Sequence, residues 1–528
     1  IESCPTGALE ARLQYGRQGP WKTHKVPSVC TFCSVGCDLD LNVVADGLMW
    51  ATAPEVSSLG RGELCKKGRF GTGLMQGADR LRKPLIRKHG KLVEAGWDEA
   101  IEAAAGVLQV MAKATGPETV GVFAAPRMTL EEALLARSVA DALGTTQAGS
   151  FGQTRRGGPR HDLDEILGDT ASTCTMKDLD KAELIVVAGA DPGETHPVLG
   201  MAIRRALNRG AEMVAINSSR IDLLRSQDLW LDARRGTAGT IYAAVISQLL
   251  QNAPDRPELE VLKASVAPLS LDGAALVSGV DAGKLQSFAE KMAAGRKTVV
   301  VYDLDETLER STDDLKGLAQ LMAVAGHLGE PGEGLLLLRA DCNSLGAKLA
   351  GLDRAIDVEK IRGVLVMFEN PYGDYRAQRL LTGLEALVVV DHFLTETARM
   401  ADVVLPAATL AESEGTVISF DGRVVGVRPG STPAAGLSNS EVLGRLATAL
   451  GRTAPSLDPA ALRTALGSAV GIDASALEQA RSTQGVLPSA IHEPRPAALQ
   501  IDSTASIANF FPYATLDGIL EKKLQEMS

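Results

Sequence analysis

The sequence predicts an α/β protein in which a small cysteine-rich lobe is followed by doubly wound parallel-sheet lobes. Three observations predict it: a series of short, uninterrupted apolar runs, amphipathic helical stretches between them, and five of the seven cysteines crowded before residue 66. Apolar runs without alternation suit strands buried on both faces, and intervening helices supply the crossovers that parallel pairing requires.

In chain order, residues 1–26 are polar and broken by Gly7, Gly16, Gly19 and Pro20. They read as a tail, and the start at Ile1 reads as the remainder of a longer protein. Residues 27–83 hold four cysteines and many glycines and end in the basic stretch DRLRKP. So short a segment has little core of its own, so a bound cofactor is expected to organise it. Residues 84–430 form the α/β body, expected as two lobes. WDEAIEAAAGVLQVMAKA from Trp97 places Ile101, Ala104, Leu108 and Met111 on one helical face, with Asp98 and Glu99 in the first turn where the helix dipole favours them. The strands are expected in TVGVFAAP at 119, ELIVVAGA at 183, EMVAIN at 212, KTVVVYDL at 297, GVLVMFEN at 363, ALVVVDHF at 386 and ADVVLPAA at 401. Residues 431–528 are rich in Ala, Ser, Pro and Gly, with helices expected near Glu441–Leu450 and Leu516–Met527.

The formal net charge of −11 offers no clustered basic footprint, so nucleic acid is not an expected partner. No run of apolar residues is long enough for direct membrane insertion. The expected location is cytoplasmic.

The cysteines carry the chemistry. Cys30, Cys33, Cys37 and Cys65 follow C-x2-C-x3-C-x27-C, three on one tight loop and a distant fourth closing the set. Soft thiolates in this pattern suit the corners of a 4Fe-4S cluster. Zinc is the competing reading, but its cysteines usually come as two separated pairs. Cys4, followed by Pro5, has the form of the last ligand of a second, ferredoxin-type cluster whose other ligands would lie upstream; an unligated surface thiol is the alternative. Cys174 and Cys342 lack partners at ligand spacing and read as buried apolar thiols. Lys66 and Lys67 follow the last ligand, either as a solvated pair or as cations beside an anionic cluster.

The motifs CPTGAL, PSVCTFCSVGC, LCKKGRFG, DRLRKPLIR, AGADPGETHP, DHFLTETARMADVVLPAATLAESEGT and FDGRVV resemble the large iron–sulfur subunit of bacterial NADH:quinone oxidoreductase, respiratory complex I. That subunit shares its body with molybdopterin oxidoreductases of the formate dehydrogenase type. The resemblance implies a peripheral-arm subunit carrying electrons from an NADH- and FMN-binding flavoprotein towards quinone-side iron–sulfur subunits, attached to the membrane only through partners. On this reading the isolated chain has no catalytic residues of its own. It also implies a partly kept pterin cradle at Lys67, Gly189, Asp191, His196, Asn217, Arg220, Glu369, Asn370 and Asp391, positions that loop hydrogen bonding and packing would equally explain. Catalytic relatives bind molybdenum or tungsten through a cysteine or selenocysteine. Arg155 and Arg156 stand near that position in GSFGQTRRGGPRHD. A guanidinium cannot replace a thiolate, which argues against a molybdopterin guanine dinucleotide working here. A catalytic molybdenum or tungsten bis-pterin subunit such as formate dehydrogenase alpha is the alternative, and a scaffold stapled by its cluster is a third.

Overall fold

The computed structural model describes residues 6, 8, 20–44, 49–54, 61–75, 77–152, 172–251, 259–304, 312–328, 330–373 and 375–452. Cys4, Arg155, Arg156 and the helix expected at 516–527 lie outside these residues. Contacts divide the chain into two units, one gathering the described residues up to 152 and from 339 onward, the other those of 172–338.

The first unit opens with β1 (Thr23–Val29), β2 (Asp38–Val44) and β3 (Met49–Thr52), an antiparallel sheet in that order. The pairing of Val29 with Asp38 closes the register beside the cysteine loop. Then come β4 (Leu85–Lys88), β5 (Lys91–Glu94), β6 (Val120–Ala124) and β7 (Ala148–Gly149). The second unit holds β8 (Leu184–Ala188), β9 (Glu212–Ile216), β10 (Leu229–Leu231), β11 (Thr298–Asp303) and β12 (Gly334–Leu338). The chain returns to the first unit for β13 (Gly363–Met367), β14 (Ala386–Asp391), β15 (Val403–Pro406), β16 (Gly415–Ile418) and β17 (Val424–Val427).

All seven apolar runs expected as strands are strands, and each pairs in parallel. In the first unit they join a sheet ordered β5-β4-β15-β14-β13-β6-β7, with only β4 and β5 antiparallel. The second unit has a wholly parallel sheet, β10-β9-β8-β11-β12. In each sheet the chain winds outward in both directions from an adjacent pair, β6 and β13 in one, β8 and β11 in the other. Such a reversal opens a crevice at the carboxyl ends of the strands, where ligands of open α/β sheets bind.

The helix Trp97–Thr115 buries the expected face, Ile101, Ala104, Leu108 and Met111. The helix Leu130–Leu143 starts at a capping box in which Thr129 and Glu132 exchange hydrogen bonds of 2.9 and 3.2 Å, and it ends at Gly144 with φ 73°. The helix expected near Glu441 spans Asn439–Ala449. Among the described residues no helix is long and apolar enough to cross a membrane.

Candidate metal centre and strand-end clefts

The hairpin of β1 and β2 delivers three cysteines together. The Cys30 amide donates to the Cys37 carbonyl at 2.8 Å, closing the loop, and Gly36 turns it with φ 60°. That left-handed backbone suits glycine, because a side chain there would strain it. Cys65 caps the short helix Lys66–Phe70, which lies on the loop through its glycines. A Cβ on Gly68 would stand 3.2 Å from the Cys30 sulfur, and one on Gly71 would stand 2.1 Å from the Phe32 ring.

Cys30 and Cys37 are buried, Cys33 and Cys65 are partly exposed, and none forms a disulfide. Burial pushes the thiols of Cys30, Cys33 and Cys37 up, Cys33 to about 11, and the charge of the neighbouring cysteines adds to the rise. Thiolates this near one another repel, and at Cys30 and Cys37 they lie away from water, so they ionise together only where a cationic group binds them. The donor set is therefore right for an iron–sulfur cluster. Among the described residues no three Cys, His, Asp or Glu converge to hold a single ion. A cubane presents separate iron corners and so takes its thiolates further apart than four ligands of one zinc ion. Amides of Phe32 and Val35 donate towards the Cys30 and Cys33 sulfurs, and the exposed Lys67 places its charge near both.

The hairpin of β16 and β17 clips onto this loop. Phe420 N donates to Ser34 O at 2.9 Å, and Arg423 Nη2 donates to Val35 O at 2.6 Å. Arg339 N donates to Ser34 Oγ at 3.3 Å from a third side. Arg423 pairs with the fully buried Asp421, its Nε 2.9 Å from Oδ1.

Beside the cysteine loop, the crevice between β6 and β13 is a cleft of about 360 Å³ lined by Arg127, Phe151, Asp341, Phe368, Glu369 and Asn370, among others. Phe368 holds φ 57°, a strained backbone for a bulky residue, and its ring stacks on His392 at 5.6 Å. This turn points Glu369 under the Phe151 amide, which donates to its carboxylate at 2.9 Å. Burial lifts the Glu369 pKa to about 8, and nearby Asp341 adds to the rise. Arg127 bonds Asp341 at 2.8 Å, and the Asp341 carboxylate also acts on Cys33, so this acid faces both the cleft and the thiol set. Asn370 and Asp391 serve their loops: Asn370 bonds Glu396 and Thr397, and Asp391 accepts from the His392 amide at 2.7 Å and from Thr395 Oγ1 at 3.3 Å.

The second unit has its own cleft of about 290 Å³ at the ends of β8, β9 and β11. Gly189, Asp191, Asn217 and Arg220 line it. Gly189 turns with φ 58°. Burial raises the pKa of Asp191 even though the Gly193 and Glu194 amides donate towards its carboxylate. Asn217 bonds Ala190 O at 3.0 Å and so holds the cleft wall. His196 is buried at the head of the helix Pro197–Asn208, its Nδ1 2.8 Å from Thr195 Oγ1, and does not line the cleft. Taken by itself, the second cleft, lined at its strand ends by Asp191, Asn217, Arg220 and Arg234, fits a bound pterin nucleotide. At the expected metal position, the arginines of the sequence offer no donor.

Most of the expected site residues described fall into three places: Cys30, Cys33, Cys37 and Cys65 with Lys67, the first cleft with Glu369 and Asn370, and the second cleft with Gly189, Asp191, Asn217 and Arg220; His196 and Asp391, expected in the cradle, line neither cleft and serve local packing and loop hydrogen bonds. Sequence reasoning missed Arg127, Asp341, Phe368 and the Asp421–Arg423 pair. FDGRVV held the last pair in plain view, but its contact with the loop joins residues almost 400 positions apart. Cys174 and Cys342 are buried, and Cys342 lies close enough to Cys30 and Cys33 for their charges to act on it.

A profile of the molybdopterin oxidoreductase family matches residues 80–438, and one of the molybdopterin oxidoreductase Fe4S4 domain matches residues 23–77. The chain is 27% identical over 479 residues to F420-dependent formate dehydrogenase 1 subunit alpha of Methanococcus maripaludis, covering 81% of this chain and 70% of that one. It is 26% identical to the NADPH-Fe(3+) oxidoreductase subunit alpha of Geobacter sulfurreducens over 80% of this chain and 55% of that protein. Acetylene hydratase from Pelobacter acetylenicus shares the fold, with a TM-score of 0.70 at 17% identity over 90% of this chain and 76% of that one. With its Fe4S4 domain preceding an α/β body wound twice around strand-end clefts, the chain belongs to the molybdopterin oxidoreductase family.

Proposed function

We propose that this chain is the redox subunit of a multi-subunit oxidoreductase, and that Cys30, Cys33, Cys37 and Cys65 hold a 4Fe-4S cluster through which its electrons pass. The observation that carries the reading is a set of four undisulfided thiols on one loop and the adjoining helix start, beside a strand-end cleft whose Asp341 also acts on Cys33. The cluster supplies one-electron transfer. The protein supplies the rest: a loop closed against β2, amides directed at two sulfurs, and burial that keeps water from Cys30 and Cys37.

Among finer readings, a formate dehydrogenase-type alpha subunit comes first. The names of the relatives favour it, and so does the second unit's strand-end cleft, able to take a pterin nucleotide. A specific observation favours the second, an electron-transfer subunit like the large iron–sulfur subunit of complex I: Arg155 and Arg156 where catalytic relatives place a metal ligand. In that setting Cys4 completes a second cluster with upstream ligands, and a flavoprotein and quinone-side iron–sulfur subunits are the partners at the cytoplasmic face of the membrane. Metal and pterin analysis of anaerobically purified protein separates the two. Stoichiometric molybdenum or tungsten with formate-dependent reduction of a dye supports the first reading. Iron without either metal rejects it in favour of the second.

A further inference from the structure

We propose that Arg423 and Asp421, opposed in sign, set the reduction potential of the cluster from beneath the cysteine loop, with Arg423 raising it and Asp421 lowering it. The inference rests on the four cysteines holding that cluster.

The geometry is built for the purpose. The turn joining β16 to β17 is fixed by Ser419 N donating to Arg423 O at 3.0 Å, Arg423 N donating to Ser419 Oγ at 3.1 Å, and Ser419 Oγ donating to Asp421 Oδ1 at 2.6 Å. Within it the guanidinium serves two partners. Nε bonds both Asp421 oxygens, at 2.9 and 3.2 Å, while Nη2 reaches the loop at Val35 O. A Cβ on Gly36, the residue before Cys37, would stand 3.9 Å from Nη2 and 3.3 Å from the Ser419 side chain, so the turn lies directly against the loop. The cationic end of the pair is thus the end presented to Cys37, whose thiolate Arg423 favours.

Burial decides how strongly such a charge acts. Lys67 also acts on Cys30 and Cys33, but it is exposed and its field is screened by water. Arg423 is 8% exposed and Asp421 0%, so their fields reach the cluster through protein. On reduction the cluster gains one electron from the electron donor and no bond changes. A fixed positive end close by favours the reduced form, and the buried carboxylate behind it opposes that effect. Arg423 acts through the loop and is a positioning and tuning residue, not a catalytic one.

The test is a redox titration of the cluster followed by EPR in the purified full chain, with iron and sulfide measured on each sample. Arg423→Gln is expected to shift the midpoint potential downward and Asp421→Asn to shift it upward. Arg423→Lys, which keeps the charge without the planar fork, is expected to stay near the wild type. A purely mechanical clamp would lower cluster content or broaden the signal without shifts of opposite sign. Fully loaded Arg423→Gln at the wild-type potential, or an Asp421→Asn shift in the downward direction, overturns the proposal. Should Arg423→Gln load no iron, Asp421→Asn and Arg423→Lys decide it by the same criteria. Wild-type protein lacking iron and the EPR signal would instead overturn the cluster reading itself.

Discussion

Replacing Glu131 by Gln perturbs one carboxyl group wedged between the helix Leu130–Leu143 and β16. Glu131 is 4% exposed, and its oxygens accept from the Thr416 amide at 2.8 Å and the Thr416 hydroxyl at 3.1 Å. Burial lifts its pKa from 4.5 to about 7 despite those bonds. The native state therefore holds this proton more tightly than the unfolded chain does. The group's contribution is most favourable below 4.5 and is lost as pH rises through about 7, a swing of roughly 3 kcal/mol at ~1.4 kcal/mol per pKa unit. Gln keeps one acceptor for the Thr416 amide and offers a donor to the hydroxyl, but carries no charge. The wild type and Glu131→Gln should be within about 1 kcal/mol of each other at pH 5, and the variant more stable by roughly 2–3 kcal/mol at pH 8. The assay is thermal unfolding of both proteins in parallel from pH 5 to 8.5, where this difference corresponds to several degrees. Glu132, also buried with a raised pKa, is present in both, and losing the Glu131 charge beside it eases its own ionisation, which adds to the variant's advantage at high pH. A midpoint difference that does not change with pH, or a variant less stable at pH 8, would refute the reasoning.

Two further outcomes follow from the packing around the cysteine loop and its body. Arg80 bonds Glu412 at 2.9 Å with both side chains almost wholly buried, so Arg80→Met should cost about 3–5 kcal/mol by stranding the carboxylate. Pairing it with Glu412→Gln should recover most of that in denaturant titrations; no recovery would mean the loss lies in Arg80's bond to Ala407 O. Gly71→Ala would place a Cβ 2.1 Å from the Phe32 ring and 2.5 Å from the Lys67 carbonyl. Because the second atom is backbone, iron content should fall even in a Gly71→Ala/Phe32→Ala background, and normal loading there would contradict the packing described.

Much of the body was legible because a doubly wound sheet leaves a local signature. Val186, Val300 and Val389 sit in runs that must be apolar on both faces, and such runs announce themselves. β12 escaped notice although Gly334–Leu338 is equally apolar and follows the helix Thr312–Ala325, since the glycine-rich turn between them hides where the strand begins. The antiparallel β1–β3 and β16–β17 were missed for a different reason. β1 and β2 mix polar and apolar residues, and β3, β16 and β17 are only four residues long. Of the site, the cysteines were readable because ligand spacing is a local property. Arg127 meeting Asp341, Glu131 meeting Thr416 and Arg423 meeting Val35 are contacts between distant parts of the chain, and no local pattern encodes them. The strand-end position of Glu369 was readable, but the left-handed Phe368 that aims it was not, since nothing in MFEN marks a phenylalanine for that backbone.

The most direct test of the account measures iron, acid-labile sulfide and zinc in anaerobically purified wild type, Cys37→Ser and Cys342→Ser. The cluster reading predicts that Cys37→Ser loses about four irons and four sulfides per chain together with one reduced-state EPR signal. Cys342→Ser, altering a buried thiol outside the ligand set, should keep them. Iron and signal unchanged in Cys37→Ser, or one equivalent of zinc lost in their place, would contradict the assignment of Cys30, Cys33, Cys37 and Cys65 to a 4Fe-4S centre.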